Sequence, residues 1–217
     1  MNSDQRKQEI YRKQAERIIK HLRKRGMDGI YCDQPEEAVQ AICSMIPAGS
    51  LVGLGGSETL LETGLVVALR RLDIRLLDRY RDGVTKEEVD QMRRECLQAD
   101  IFIAGTNALT LDGQLVNMDG MGNRVACLIY GPKKVILLTG MNKVVATVEE
   151  GIARIKNWAA PVNAVRTQAN SPCSKTGVCQ DPACYPPNRI CNQLVITEAS
   201  RIKDRITVVL IGEVYGF

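Results

Sequence analysis

Residues 51–64 read LVGLGGSETLLETG, and the change of character inside this stretch decides the fold class. Leu51–Leu54 is a short aliphatic run with no room for a helical period, so it reads as a buried strand. Gly55 and Gly56 follow, and then residues 57–64 take on helical character, with Ser57 or Thr59 available as a cap and Glu58 in the first turn. Strand, glycine turn and helix in immediate succession form the unit of a parallel α/β sheet. The turn itself has two readings. It is either a tight connection that needs glycine only for its backbone, or a place where backbone amides converge on an anion at a helix start. Neither a dinucleotide fingerprint nor a Walker A loop is present, because GxGxxG is not completed after Gly53 and no Gly-Lys-Ser/Thr occurs. Open parallel sheets bind ligands beyond the carboxyl ends of their strands, which favours the second reading.

The same alternation continues on both sides. Upstream, DGIYC (28–32) reads as a short strand or connection, and PEEAVQAICSMI (35–46) as a helix with Pro35 in its first turn. Downstream, DIRLLD is a strand, TKEEVDQMRRECLQA a charged amphipathic helix with Val89, Met92 and Cys96 inward, and DIFIAGTNAL a strand. GQLVNMDG is extended, NRVACLIYG helical, and KKVILLTG another strand. TVEEGIARIKNWAAPVNAVR reads as two helices broken at Pro161, and the chain closes on two strands, QLVITEA and RITVVLIGEV. The brief polar link between those last two suggests a local antiparallel pair. The expected class is α/β, a mainly parallel sheet flanked by helices. Residues 1–48 form an N-terminal helical extension, and 49–217 form the α/β domain with a Cys-rich insert at 170–192. No internal repeat is evident.

Composition narrows the function. The chain has 217 residues, 45% of them hydrophobic and only 4% aromatic, so the core is aliphatic. No run of eighteen apolar residues and no signal peptide occur, which points to the cytoplasm and away from membrane insertion. Much of the net charge of +4 sits in the first twenty-five residues. There Tyr11, Ala15, Ile18 and Leu22 recur at helical spacing, and Glu9 and Glu16 interrupt the basic residues, which describes an amphipathic helix with a solvated face. Without stacking aromatics it makes a poor nucleic-acid arm. His21 is the only histidine and falls on this helix, so Ser-His or Cys-His catalysis is not expected.

A second polar cluster lies between the strand at Ile101–Ala104 and Lys143. Asp112-Gly113 and Asp119-Gly120 are ordinary turn pairs, and Gly122-Asn123 suits the start of a helix. Turn chemistry does not explain Arg124 at a helix start, where a cation opposes the macrodipole. Nor does it explain Asn142-Lys143 directly after a core strand. Both make sense if an anion or carboxylate sits nearby.

These segments carry a resemblance. GLGGSET (53–59), GTNALTLDGQLVNMDGMGNRVA (105–126), YGPKKVILLTGMNK (130–143) and ARIKNWAAPVNAVR (153–166) resemble the lactate-utilisation (LUD) domain family. SPCSKTGVC and NRICN resemble the C-terminal segment of its shorter members. The resemblance implies a fold related to ribose-5-phosphate isomerase, the glucosamine-phosphate deaminases and the CoA transferases. It implies a small anionic metabolite, a hydroxy- or keto-acid or a sugar phosphate, in a cleft at the strand ends. Gly55, Gly56, Ser57 and Thr59 would face it from one side, and Thr106, Asn107, Asn123, Arg124 and Lys143 from the other. Glu58 and Asp112 are the candidates for proton transfer, since isomerase or transferase chemistry needs a carboxylate or similar base. A transferase nucleophile would be Glu58 or Glu198, neither in a matching motif. Because some members of the family work beside iron–sulfur and oxidoreductase subunits, the alternative is a non-catalytic or iron–sulfur-carrying subunit of such an assembly. A homo-oligomer is also compatible.

Four cysteines fall in CSKTGVCQDPACYPPNRIC, with five, four and six residues between Cys173, Cys179, Cys184 and Cys191. Thiols this dense can hold zinc or an iron–sulfur cluster, although the spacing matches neither a CxxC knuckle nor a ferredoxin run. Disulfides, or thiols packed as small apolar groups, are the other readings. Cys32, Cys43, Cys96 and Cys127 lie in apolar surroundings and read as core.

Overall fold

The computed structural model describes residues 2–217. Helix α1 (Ser3–Lys24) opens on a capping box from Asn2 and Gln5 and is followed by β1 (Asp28–Cys32) and α2 (Pro35–Ser44). Strand β2 (Leu51–Leu54) leads through the glycine turn into α3 (Glu58–Glu62) and α4 (Leu65–Leu69). Then come β3 (Arg75–Leu77), α5 (Lys86–Glu95) and β4 (Ile101–Ala104). The next group is β5 (Ala108–Thr110), β6 (Leu115–Asp119), α6 (Asn123–Ile129), β7 (Lys134–Gly140) and β8 (Val144–Val145). Helices α7 (Val148–Arg154), α8 (Ala160–Arg166) and α9 (Pro172–Thr176) precede β9 (Gln193–Thr197) and β10 (Ile206–Ile211).

Six strands form the main sheet in the order β1-β10-β7-β4-β2-β3, and every pairing is parallel. The central strands are apolar on both faces because both are covered, as parallel sheets require. In β7, Val135 and Leu137 join α1, Phe102 and Leu210 on one face, while Ile136 and Leu138 join α2, α3 and α4 on the other. Each fully buried Leu or Ile here contributes about 1.5–3 kcal/mol. The N-terminal helix is present as its pattern indicates, with Ala15, Ile18 and Leu22 fully buried. The segment after it is knitted into the same sheet, since β1 pairs with β10 from Asp28↔Thr207 to Cys32↔Ile211.

A second sheet, β8-β5-β6-β9, stands over the carboxyl ends of the first. Its strands come from the chain that leaves β4, the chain that leaves β7 and the approach to β10. Strand β9 pairs antiparallel with β6, and β10 lies between β1 and β7 in the other sheet. The antiparallel pair expected for the last two strands is therefore absent. Each apolar run found a better partner than its sequence neighbour: β10, buried at all six positions, completes a two-faced core, whereas β9 is largely exposed and suits an edge.

Two helical details also differ from the sequence reading. The break expected at Pro161 occurs earlier, as a wide π-helical turn over Ile155–Ala159, and Pro161 sits buried in the first turn of α8, where its missing N–H costs nothing. At α6, Gly122 takes φ +88°, a conformation that favours glycine, and the helix is held at both ends by side chains. The Asp119 carboxylate accepts from the amides of Gly122, Arg124 and Val125, and the buried Arg205 guanidinium donates to the carbonyls of Cys127 and Leu128. Charge of each sign thus lies at the helix end that favours it. Among the described residues no helix is long and apolar enough to cross a membrane.

Candidate functional site

Strand β2 connects outward to β3, and the chain then returns to place β4 on the other side of β2. This reversal opens a crevice beyond the strand ends, the position where open α/β sheets take ligands. A cavity of about 340 Å³ occupies it. Gly56, Ser57 and Glu58 reach it from the end of β2, Gly105, Thr106 and Asn107 from the end of β4, and Lys143 from the turn after β7. The second sheet and α6 supply Met118, Asp119, Asn123 and Arg124, and the π-turn and α8 supply Ile155, Asn163 and Arg166. The two loops meet closely, since a Cβ on Gly105 would stand 2.8 Å from Ser57 Oγ.

Arg124 lies on this wall, but its donors are in use. Its guanidinium donates to Asn117 Oδ1 at 2.6 Å, Asn107 Oδ1 at 2.8 Å, the Met118 carbonyl at 2.8 Å and the Gly105 carbonyl at 3.3 Å. Asp119 stands 3.7 Å from its Nε. Burial pushes the guanidinium pKa down, opposed by Asp119, but a guanidinium remains charged in proteins. The carboxylate that the cation at a helix start called for is thus within the protein, at Asp119. Arg124 gives the cavity positive potential and fixes Asn107, whose own carbonyl is held by Arg154 at 2.8 Å. Thr106, on the same wall, is buried and donates toward Asn117.

The glycine turn is similarly occupied. The Gly55 amide donates to the Ile103 carbonyl at 2.8 Å, and the Ser57 amide to Tyr80 Oη at 2.8 Å. Tyr80 Oη in turn donates to the Gly55 carbonyl. Gly55 does not line the cavity, and α3 is too short to present a converging set of amides, so the expected amide cradle is not formed. Ser57 occupies the cap position without a side-chain cap bond, and its hydroxyl lines the cavity. Thr59 is fully buried behind the wall and serves Lys143, accepting from Nζ at 2.8 Å while it donates to the Tyr215 carbonyl.

Lys143 is 4% exposed. Burial, with the charges of Arg154 and Arg124, brings its ammonium pKa down to about 7, against a smaller opposing pull from Glu62. An amine in this range exchanges a proton readily near neutral pH. It lines the same cavity as Arg79, Arg93 and Arg166.

These three arginines were not singled out in the sequence, and they change the electrostatics of the site. Five cationic side chains line the cavity (Arg79, Arg93, Arg124, Lys143 and Arg166) against two carboxylates, Glu58 and Asp119. Asp119 is committed to α6, and Glu58 accepts from Arg166 at 3.2 Å. Arg79 makes no ion pair or side-chain hydrogen bond among the described residues and only packs over the Tyr80 ring at 5.8 Å. Its pKa is pushed down by burial and, secondarily, by Arg93 and Arg166. Arg93, carried on the capping-boxed α5, bonds Asp90 but keeps a buried Nε without a partner. The one available signal was position: Arg79 follows a short strand, as Lys143 does.

Asp112 lies elsewhere. It sits in the β5–β6 turn against α1, paired with Arg17 at 2.8 Å and 3.7 Å from His21, and it does not reach the cavity. Glu198 is bonded by Gln114 and Arg25 and is also outside. Of the acid–base candidates only Glu58 is on the wall, and Lys143 joins it there.

The four C-terminal cysteines line a second, smaller void of about 30 Å³, together with Lys156, Asp181 and Arg189. All are free thiols. Among the described residues no three His, Cys, Asp or Glu side chains are placed to hold a single metal ion. Burial and the neighbouring thiols push Cys191 up to about 11. Cys191, Ile190 and Ala160 line both this void and the cleft, so one thin wall divides them. Cys32, Cys96 and Cys127 are core residues, and Cys43 is half-buried.

Among solved structures, the chain is similar to a DUF162 family protein from Deinococcus radiodurans, with 14% identity and a TM-score of 0.50 over 93% of this chain and 97% of that one. At that identity the likeness shows the fold. Chaetomium thermophilum eIF2B delta overlaps 55% of this chain and 50% of its own at 18% identity and a TM-score of 0.36, too distant to carry an argument. No curated protein matches the sequence. The LUD domain family matches residues 15–211, which run from within α1 to the end of β10 and take in both sheets, the cleft and the cysteine segment. The chain belongs to the LUD domain family.

Proposed function

We propose that the cleft binds a small anionic metabolite, a hydroxy- or keto-acid or a sugar phosphate, and that Lys143 moves a proton on it. The observation that carries this reading is Arg79, a partly buried guanidinium at the cavity with no acceptor among the described residues. An unpaired cation in such a place is costly, and a carboxylate or phosphate bound by its fork would remove the cost with charge-assisted bonds. The volume of about 340 Å³ suits a small metabolite.

Lys143 lines the same cavity as Arg79. Neutral, its amine can accept a proton from the carbon or hydroxyl beside the bound anionic group; protonated, it can return one. Thr59 Oγ1 holds Nζ in place at 2.8 Å. Ser57 Oγ and the Asn107 amide are the polar groups best placed to orient the rest of the ligand, and Glu58 is a second acid–base group through the oxygen not held by Arg166.

Calorimetric titration with lactate, pyruvate and inorganic phosphate tests the binding. At least one should bind, and its affinity should fall as the pH rises through about 7, where the ammonium of Lys143 is lost. Lys143→Met should remove that step. Exchange of substrate hydrogens with deuterated water, followed by NMR, reads the proton transfer directly. If none of these anions binds, or if binding by the Lys143 variant keeps the same pH profile, the reading fails.

A further inference from the structure

We propose that the cleft selects a phosphate monoester over a simple carboxylate, with the dianionic phosphoryl group seated on Arg79 and Arg93. This rests on the anion reading above and narrows it to one class of ligand.

The first observation is how Arg79 is held. It lies between two anchored residues. The Asp78 carboxylate accepts from Arg70 Nε at 2.7 Å and from the Tyr80 amide at 2.9 Å, and Tyr80 Oη is bonded to the glycine turn. A Cβ on Gly56 would stand 3.4, 3.6 and 3.7 Å from Nη1, Cζ and Nη2 of Arg79. Near-equal distances to three atoms of one plane put that point over the face of the guanidinium, off its edge. The Tyr80 ring lies 5.8 Å away. Packing against its face, rather than hydrogen bonding at its edge, therefore positions this guanidinium. Its in-plane N–H donors, the fork that fits an oxyanion, stay without an acceptor among the described residues.

The second observation is the charge balance. Of the five cations at the cavity, three have a carboxylate: Arg124 has Asp119, Arg166 has Glu58 and Arg93 has Asp90. Arg79 has none, and Lys143 Nζ donates to a hydroxyl, Thr59 Oγ1. With Lys143 protonated, two positive charges are left over. A monocarboxylate halves that excess, and a dianion removes it.

The third observation concerns crowding. Arg93 keeps a buried Nε without a partner, and after burial itself the charges of Arg93 and Arg166 push the Arg79 pKa down, with Tyr80 and Cys96 acting the other way. A phosphoryl group presents three acceptor oxygens, enough for the Arg79 fork, Arg93 and the Ser57 hydroxyl, all of which line the cavity. A carboxylate presents two.

Calorimetric titration of the full chain with methyl phosphate, lactate and oxalate, repeated across pH, tests this. Methyl phosphate should bind about tenfold or more tightly than either of the others near pH 6.5, the worth of one further charge-assisted hydrogen bond. Its affinity should fall on both sides. Below, the monoester takes up its second proton with a pKa of about 6, so affinity should drop about fivefold from pH 6 to pH 5. Above, Lys143 loses its ammonium at about 7, in the setting made by Arg154, Arg124, Glu62 and Thr59. Lactate, a monoanion throughout, should show the alkaline fall alone. Arg79→Lys keeps the charge and removes the fork; it should cost methyl phosphate about tenfold with the circular dichroism unchanged. Lactate or oxalate binding as tightly as methyl phosphate overturns the proposal. So does a missing acid limb, or an Arg79→Lys protein with undiminished affinity. If lactate binds and methyl phosphate does not, the narrowing fails and the anion reading stands; if no anion binds, both fall.

Discussion

At the cleft Arg124 donates to four oxygens, all of them within the protein; Arg79 lines the same cavity and its side chain donates to none among the described residues. Both are arginines at the same cavity, and in sequence Arg124 is the more conspicuous of the two. The difference shows that a cation at a strand end is not by itself a ligand group. What counts is the hydrogen-bonding capacity left after folding. Arg124 builds the wall, by joining α6, β6 and the loop after β4, and Arg79 and Lys143 remain for the guest.

The sharpest way to break this division is Arg124→Ala. It would leave Asn117, Asn107 and two carbonyls without their donor, and should lower stability by about 3–5 kcal/mol, as removal of one buried charged partner does. Urea denaturation measures it. A small loss there, with anion affinity abolished, would reverse the roles assigned to the two arginines.

Lys143→Met acts oppositely on stability. The folded pKa of about 7 lies below the ordinary 10.5, so between those values the unfolded chain binds more protons than the folded one. Stability of the wild type therefore rises with pH across this window, and the buried ammonium is most costly below it. The variant should be the more stable protein. Its advantage should shrink by about 2–3 kcal/mol from pH 6 to pH 9, as followed by denaturation at each pH. A constant difference would mean that the amine is solvated.

Arg79→Ala should weaken anion binding by about 10- to 100-fold, the worth of one or two charge-assisted hydrogen bonds, with little change in the urea midpoint. An equal loss of stability and affinity would make Arg79 a second wall residue. The smallest effect belongs to Asp112→Asn. Its partly exposed pair with Arg17 is worth about 0–1 kcal/mol, and anion titration should be unaltered because the turn lies against α1.

Sequence reading found the strands and helices where the apolar period was long and unbroken, as in β7 and β10, and it found the loops that reach the cleft. It placed Ser57, Asn107 and Lys143 near one cavity because each follows a buried strand of the parallel sheet, whose strand ends share one rim, and it reached Arg124 through its charge at a helix start and the family resemblance. It misassigned the partner of β9, since two apolar runs in succession look alike whether they pair with each other or with distant strands. It included Asp112 because a turn aspartate and a cleft aspartate have the same local signature. It passed over Arg79, whose one local signal is its place just after the short strand β3.

The sequence by itself determined the α/β class, the glycine turn after β2 and the concentration of thiols near the C-terminus, because each depends on residues adjacent in the chain. Tertiary structure decided which donors are occupied, that Lys143 is buried deeply enough to titrate near neutrality, and that four separated thiols face one void beside the cleft. Those properties depend on contacts between residues far apart in the chain, 84 positions for Lys143 with Thr59 and 108 for Arg166 with Glu58, and burial and partner count have no local signature.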